Sequence, residues 1–323
     1  MPGLPTSAEA FVTLVTNSEY GLGAAVLGYR LRAVGTTRAT VVMVTESVPE
    51  TTRKMLSKTW DTVLDVTQLD SNDSDRLAML KRPELGITFS KLNVWKLTQY
   101  KKVVFVDADT MPLSNIDDLF QYEELSACRD AGWPDCFNTG LFVLTPSLET
   151  YKALIRRACD DGSFDGGDQG LLNAHFSTWS HGDIRKHIPF SYNVNPNASY
   201  TYLPAYKHFA DQVKMVHFLG AVKPWHYQYA NGRVQGQNLT EHTLKFLEQW
   251  HKVADIVKQT YYQPTAAAPY VPPISESRQT AAQSSTPTPS NSPVSTPAGD
   301  VGSVLAHITS QIKSKEQAKM SQY

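Results

Sequence analysis

The run Lys102-Val103-Val104-Phe105-Val106 delivers Asp107-Ala108-Asp109-Thr110 at its end, and this pairing narrows the folds open to the chain. Consecutive β-branched and aromatic residues bounded by polar ones form a buried strand. Two aspartates one residue apart then stand at its carboxyl end, the edge at which open α/β sheets bind ligands. Their carboxylates can share a hard divalent cation, and Ala108 is small enough to let the backbone approach whatever the cation holds; a nucleotide diphosphate fits that description. Asp-x-Asp is also a common surface tripeptide, so the strand and the motifs elsewhere must carry the reading.

The amino-terminal third repeats one alternation. Ala10 to Thr16 reads as a strand, Asn17 to Ala33 as a turn and helix, Ala39 to Thr45 as a second strand, Pro49 to Thr59 as a helix and Thr62 to Val66 as a third strand. Such βαβ alternation predicts an α/β fold, a Rossmann-like, mostly parallel sheet with helices on both faces. Gly21-Leu22-Gly23 imitates a dinucleotide fingerprint, with Glu46 near the place of a ribose-binding acid. Val26 stands where the third glycine belongs, which argues against an NAD-type site.

Further along, Arg82 and Lys91 precede the central strand, Lys91 on a helix expected from Thr88 to Leu97. They suit phosphate or nucleobase edges, or are solvated cations. Gly132 to Gly140 reads as a loop and Leu141 to Leu144 as a strand, with Asn138 and Thr139 placed to bond sugar hydroxyls. After a helix from Ser147 to Asp160 comes Phe164-Asp165-Gly166-Gly167-Asp168-Gln169-Gly170. There the glycines permit close backbone approach and Asp168 reads as a helix cap, with Asp165 a turn ahead. A strand from Val213 to Leu219 carries His217, and Lys223 follows six residues later. Asp107, Asp109 and His217 together form a set of oxygen ligands and one imidazole that suits Mn²⁺, with Mg²⁺ as a weaker substitute.

Composition excludes other classes. The chain has 323 residues and a net charge of −1, with no Lys/Arg block to neutralise phosphates, so no nucleic-acid partner is expected. No window approaches the roughly 20 apolar residues of a membrane span, and Met1 to Ala10 lacks the regions of a secretory signal. Cys128, Cys136 and Cys159 have no metal-type spacing and fit reduced thiols, so a cytoplasmic protein is expected and the glycosylation patterns at Asn197 and Asn238 are taken as chance. A helix from Glu241 to Tyr262 carries a stripe of Leu244, Leu247, Trp250, Val253, Ala254 and Val257, expected to pack on the core. The chain divides into a single domain at 1–262, a Pro/Ser/Thr-rich linker expected to be disordered at 263–299, and a short amphipathic helix at 300–323 with Val301, Val304, Leu305, Ile308 and Ile312 on one face.

Seven separated segments together resemble one family: Leu14 to Asn17 with Tyr20, Lys81 to Lys91, Asp107 to Asp109, Trp133 to Gly140, Asp165 to Gly170, Tyr200 to Ala205, and His217 to Trp225. The chain resembles the retaining, nucleotide-sugar glycosyltransferases of family 8, and within them the self-glucosylating primers of glycogen synthesis. The resemblance implies a GT-A type catalytic domain that moves glucose from UDP-glucose. It implies that Leu14, Thr16, Asn17, Tyr20 and Arg82 hold the uridine and ribose, that Asp107, Asp109 and His217 ligate Mn²⁺, and that Ala108 lies against the nucleotide sugar. Gly220 and Lys223 would approach the diphosphate. Lys91, Asn138, Thr139, Asp165, Asp168 and Gln169 would surround the glucose, with Asp168, Asp165, Lys91 and Gln169 the catalytic candidates. Tyr200 would be the acceptor, in a homodimer whose subunits glucosylate one another, and the final helix would dock on glycogen synthase. Two alternatives remain open at this stage: a related UDP-sugar transferase with a separate acceptor, such as a galactose-transferring enzyme, and an inert scaffold that tethers glycogen synthase.

Overall fold

The computed structural model describes residues 8–73, 75–77, 83–196, 203–236 and 239–261. The alternation expected at the start is present: β1 (Glu9–Val15), α1 (Ser18–Ala33), β2 (Ala39–Val44), α2 (Glu50–Thr59) and β3 (Thr62–Asp65). There follow β4 (Lys102–Val106), β5 (Thr110–Pro112), β6 (Ser126–Arg129), β7 (Phe137–Leu144), α3 (Leu148–Asp160), α4 (Asp168–His175) and β8 (His187–Ile188). Last come α5 (Leu203–Phe209), β9 (Met215–His217), the hairpin β10 (Gln228–Ala230) with β11 (Arg233–Gln235), and α6 (Glu241–Tyr261). The main sheet has seven strands in the order β3-β2-β1-β4-β7-β6-β8. β7 runs antiparallel to both neighbours, whereas the β2–β3, β1–β2, β1–β4 and β6–β8 pairs are parallel.

Alternate residues of each central strand enter different cores. Phe11, Val15, Val42, Val44, Val104, Val106, Leu141 and Val143 pack with α1, α2 and α6 on one face. Val12, Val41, Met43, Val103, Phe105, Phe142 and Leu144 pack with α3, α4 and the segment Pro83–Lys96 on the other. Burial on both faces is why these strands read as unbroken apolar runs. The stripe of α6 joins the first core, with Leu247, Trp250, Val253, Ala254 and Val257 buried.

Four elements differ from what the sequence predicts. The helix expected from 88 to 97 starts at Pro83 and is a 3-10 helix through Lys96, held to the preceding segment where Ser90 Oγ accepts from Leu69 N–H and Asn93 Nδ2 donates to Thr67 O. Its three-residue turn stacks Thr88 and Lys91 on one edge. Asn138 and Thr139 belong to β7 rather than to the loop before it, because Phe137 is fully buried and pairs with Arg129, extending the strand. The strand expected over 213–219 shrinks to Met215–His217, and it pairs with β5 outside the main sheet, Thr110 opposite His217. Asp168 is the first residue of α4, not its cap. Gly167 holds the cap position, and Asp165 Oδ1 accepts from the Gly167 and Gly170 amides at 2.9 and 3.0 Å. Arg82, Tyr200, the linker 263–299 and the helix expected at 300–323 lie outside the described residues.

The chain order places the ligand edge. From β1 it moves outward through β2 and β3, then returns to β4 on the other side of β1. The crevice at such a reversal lies beyond the strand ends, here Thr16-Asn17 after β1 and Asp107 to Asp109 after β4. Gly23 lets α1 reach that crevice, since a Cβ there would lie 2.6 Å from the Ala108 carbonyl oxygen and 2.5 Å from the Trp225 ring. The two glycines of the false dinucleotide signature are thus packing residues: Gly21 faces Thr52 in the same way. Gly23→Ala is expected to lower stability by about 1–3 kcal/mol through overpacking against backbone that cannot yield; urea unfolding with an unchanged midpoint would show the contact to be slack.

Candidate active site

A cleft of 590 Å³ opens at the reversal point. Leu14, Thr16, Asn17 and Tyr20 line one end of it, Asp107, Ala108, Asp109, His217, Gly220 and Lys223 the middle, and Lys91, Asn138, Thr139, Asp165, Asp168 and Gln169 the rest. Every expected site residue that falls among the described residues therefore meets in one place. The first end is rigid. Asn17 Oδ1 caps α1 by accepting the Tyr20 amide at 3.1 Å, and the Tyr20 ring stands edge-on to Trp225 at 5.0 Å.

Backbone bonds fix the aspartate turn. Asp107 N donates to Gly140 O of β7 at 2.9 Å, while Thr110 returns both its amide (3.1 Å) and its hydroxyl (2.7 Å) to Asp107 O. On the far side Phe218 N donates to Asp109 O at 2.9 Å, and this brings the β9 end against the turn. His217 is nearly fully buried, with Nε2 3.3 Å from Asp109 Oδ1 and 3.9 Å from Asp107 Oδ2. A Cβ on Gly140 would lie 2.1 Å from His217 Cε1, so this position of the imidazole depends on a glycine.

The electrostatics are arranged around these carboxylates. Lys91, buried, puts Nζ 3.0 Å from Asp107 Oδ1, 2.7 Å from Asp168 Oδ2 and 3.1 Å from Thr139 O. Burial opposes its charge, but Asp107 and Asp168 outweigh burial and hold its pKa above the ordinary lysine value. Asp109 ion-pairs with the buried Lys223, whose Nζ also donates to Phe218 O at 3.0 Å. Here too burial disfavours the charge, and Lys223 and His217 overcome it, so the carboxyl sits well below the usual range. Asp107 goes the other way, pushed up by burial and by Asp109 and Asp168 despite Lys91 and His217.

Asp107, Asp109 and His217 offer one ligand atom each within 4.8 Å of one another. His217 Nδ1 lies 2.9 Å from Asn193 Oδ1, and a proton on Nδ1 there would leave the Nε2 lone pair for coordination. Two carboxylates and a neutral imidazole fit a divalent cation. Sequence reasoning missed Asn193, which has no motif around it, and Asp130, whose Oδ2 lies 3.1 Å from Asn138 Nδ2 and 3.2 Å from Gln169 Nε2. It also missed Thr88, whose hydroxyl accepts the Asp168 amide at 3.2 Å. Asp130 lies just ahead of the Gly132 to Gly140 loop, a position that could have flagged it.

Known proteins share this arrangement of sequence and fold. Residues 11–229 match the model of glycosyl transferase family 8. The chain is 57% identical to human glycogenin-1 over 221 residues, covering 68% of this chain and 63% of that protein. To glycogenin-1 of Mus musculus it is 53% identical over 246 residues, covering 75% and 74%. Among solved structures, the galactosyltransferase LgtC with donor and acceptor sugar analogs superposes with a TM-score of 0.53 at 16% identity over 76% of this chain and 95% of that one, a likeness of fold. A family match across residues 11–229, and a relative at 53% identity of which it covers 74%, place it: the chain is a family 8 glycosyltransferase and belongs with the glycogenins.

Proposed function

We propose that this chain is a Mn²⁺-dependent transferase that takes glucose from UDP-glucose, attaches it with retention to its own Tyr200, and extends the product as an α-1,4-glucan primer for glycogen synthase. The observation that carries the reading is the meeting of Asp107, Asp109 and His217 with Lys91 and Asp168 in one cleft, in a chain 53% identical to glycogenin-1 of Mus musculus over three quarters of its length. Leu14, Thr16, Asn17, Tyr20 and Arg82 would hold the uridine and ribose, and Asp107, Asp109 and His217 the cation. A divalent ion held there would neutralise charge on the departing diphosphate.

The side chains of the protein do the remainder. Lys223 adds positive charge on the diphosphate side, where negative charge grows as the glycosidic bond breaks. Asp168, held by Lys91 and placed in the first turn of α4, faces the glucose and shields the oxocarbenium-like carbon. Asn138, Thr139, Asp165 and Gln169 orient the sugar. The bond from the anomeric carbon to phosphate oxygen breaks, a bond to the Tyr200 oxygen forms on the same face, and the leaving phosphate oxygen takes the phenol proton. A tyrosine with a pKa near 10 is a weak nucleophile at neutral pH, so its oxygen must be held against the reacting carbon. A homodimer in which one subunit presents Tyr200 to its partner supplies that placement. The setting would be the cytosol, and the segment 300–323 would hold glycogen synthase.

Protein made in a host without UDP-glucose, then given Mn²⁺ and UDP-glucose, is expected to gain mass in steps of one hexose, and Tyr200→Phe to gain none. Donor hydrolysis at constant mass would instead make it a transferase with a separate acceptor; neither change would make it an inert scaffold. Asp109→Ala is expected to lose transfer and donor hydrolysis while keeping its circular dichroism spectrum, and transfer surviving in that variant with Mn²⁺ would remove the metal from the reading. A peptide of residues 299–323 titrated into glycogen synthase should release heat at micromolar concentration; a flat isotherm would discard the docking role.

A further inference from the structure

One chain of hydrogen bonds crosses the cleft floor from the sugar end to the cation end, and all of its members are buried or half-buried. Asp130 Oδ2 accepts from Asn138 Nδ2 at 3.1 Å, Asn138 Oδ1 accepts from Asn193 Nδ2 at 2.8 Å, and Asn193 Oδ1 accepts from His217 Nδ1 at 2.9 Å. An ionised carboxylate only accepts, so Asp130 turns the NH₂ of Asn138 toward itself. The Gly140 amide, which donates to Asn138 Oδ1 at 3.0 Å, requires the same orientation. With Asn138 Oδ1 thus an acceptor on its other side, Asn193 must present Nδ2 to it, and Asn193 Oδ1 is left for His217. His217 must then carry a proton on Nδ1, and in the neutral imidazole Nε2, which faces Asp107 and Asp109, is the nitrogen left free.

We infer that Asn193 is a positioning residue for the cation site, fixing the His217 tautomer through a relay whose polarity is set by Asp130 and the Gly140 amide. Asn193 is 4% exposed and His217 2%, so bulk water is shut out from the imidazole Nδ1. Without Asn193 nothing in this relay would keep the proton there, and the Nε2–H tautomer would point a proton at the cation. The relay also ties the two ends of the cleft together, since Gln169 bonds to both Asp130 and Asn138 (3.2 and 3.1 Å).

The inference rests on the proposed cation site, and the test separates the two. Mn²⁺ affinity of the full chain is measured by titration without donor, on wild type, Asn193→Ala and Asn193→Asp, alongside thermal unfolding without metal. Outer partners of metal ligands are worth about 10–100-fold in affinity, so Asn193→Ala should bind Mn²⁺ about 10–100-fold more weakly. Asn193→Asp keeps an acceptor for Nδ1–H and should recover most of that loss. It gives up the donor to Asn138, so its KM for UDP-glucose should rise even where Mn²⁺ saturates. Wild-type affinity in a folded Asn193→Ala overturns the inference alone. If Asn193→Ala does not fold, Asn193→Asp decides by itself: wild-type Mn²⁺ affinity with a raised KM supports the relay, and a 10-fold loss of Mn²⁺ affinity overturns it. A wild-type protein that takes up no Mn²⁺ overturns the cation site and the inference together.

Discussion

Buried charge organises this molecule. Asp107, Asp109 and Asp168 stand in one cleft, which Asp130 and Asp165 also line, and among the described residues their lysine partners are Lys91 and Lys223, so negative groups outnumber positive ones when His217 is neutral. Isolated carboxylates in such surroundings would take up protons rather than remain charged. Each lysine here is buried with its aspartates, and the surplus negative charge lies where His217 Nε2 also points. A cation completes this arrangement; an apolar ligand would not. The sheet's reversal between β1 and β4 accounts for where the cluster sits, because it opens a crevice at the strand ends while the two cores exclude water from below.

Close approach is the second requirement. α1 comes up against the Ala108 carbonyl only because residue 23 has no side chain, and the His217 imidazole lies over β7 only because residue 140 has none. Trp225 then closes the assembly, with its ring beside Tyr20 at 5.0 Å and Trp250 of α6 at 6.0 Å. The carboxyl-terminal helix of the described chain is therefore linked to Tyr20 on the cleft wall through two aromatic contacts, although it contributes no residue to the cleft itself.

Much of this was legible because it is periodic or local. The apolar run before Asp107, the βαβ alternation and the stripe of α6 follow from burial alone, and β9 is visible as an apolar stretch around His217, though the strand itself is shorter. What failed depended on tertiary partners. Asp168 follows two glycines as caps often do, yet the buried Lys91 claims its carboxylate, and Asp165 takes the amides. β7 starts four residues early because Arg129 of β6 pairs with Phe137, a contact no local pattern contains. Asn193 and Asp130 were missed for the same reason: an amide and a carboxylate in irregular segments acquire meaning only when folding brings them against Asn138, 55 and 8 residues away in sequence. The placement of Arg82 and Tyr200 rests on resemblance alone.

The two aspartates of the turn are one residue apart but are not equivalent. Asp109 has Lys223 and His217 as direct partners, which outweigh its burial and keep it ionised far into acid. Asp107 is less buried but is also disfavoured by burial, feels Asp109 and Asp168 as like charges, and shares Lys91 with Asp168, so its carboxyl is displaced upward. As pH falls, protons therefore reach Asp107 before Asp109. The stability that the Asp109 pair contributes persists after Asp107 has been neutralised, since a depressed carboxyl pKa loses its contribution only on descent through the folded-state value. Asp109 is also the nearer of the two to His217, and through it to Asn193.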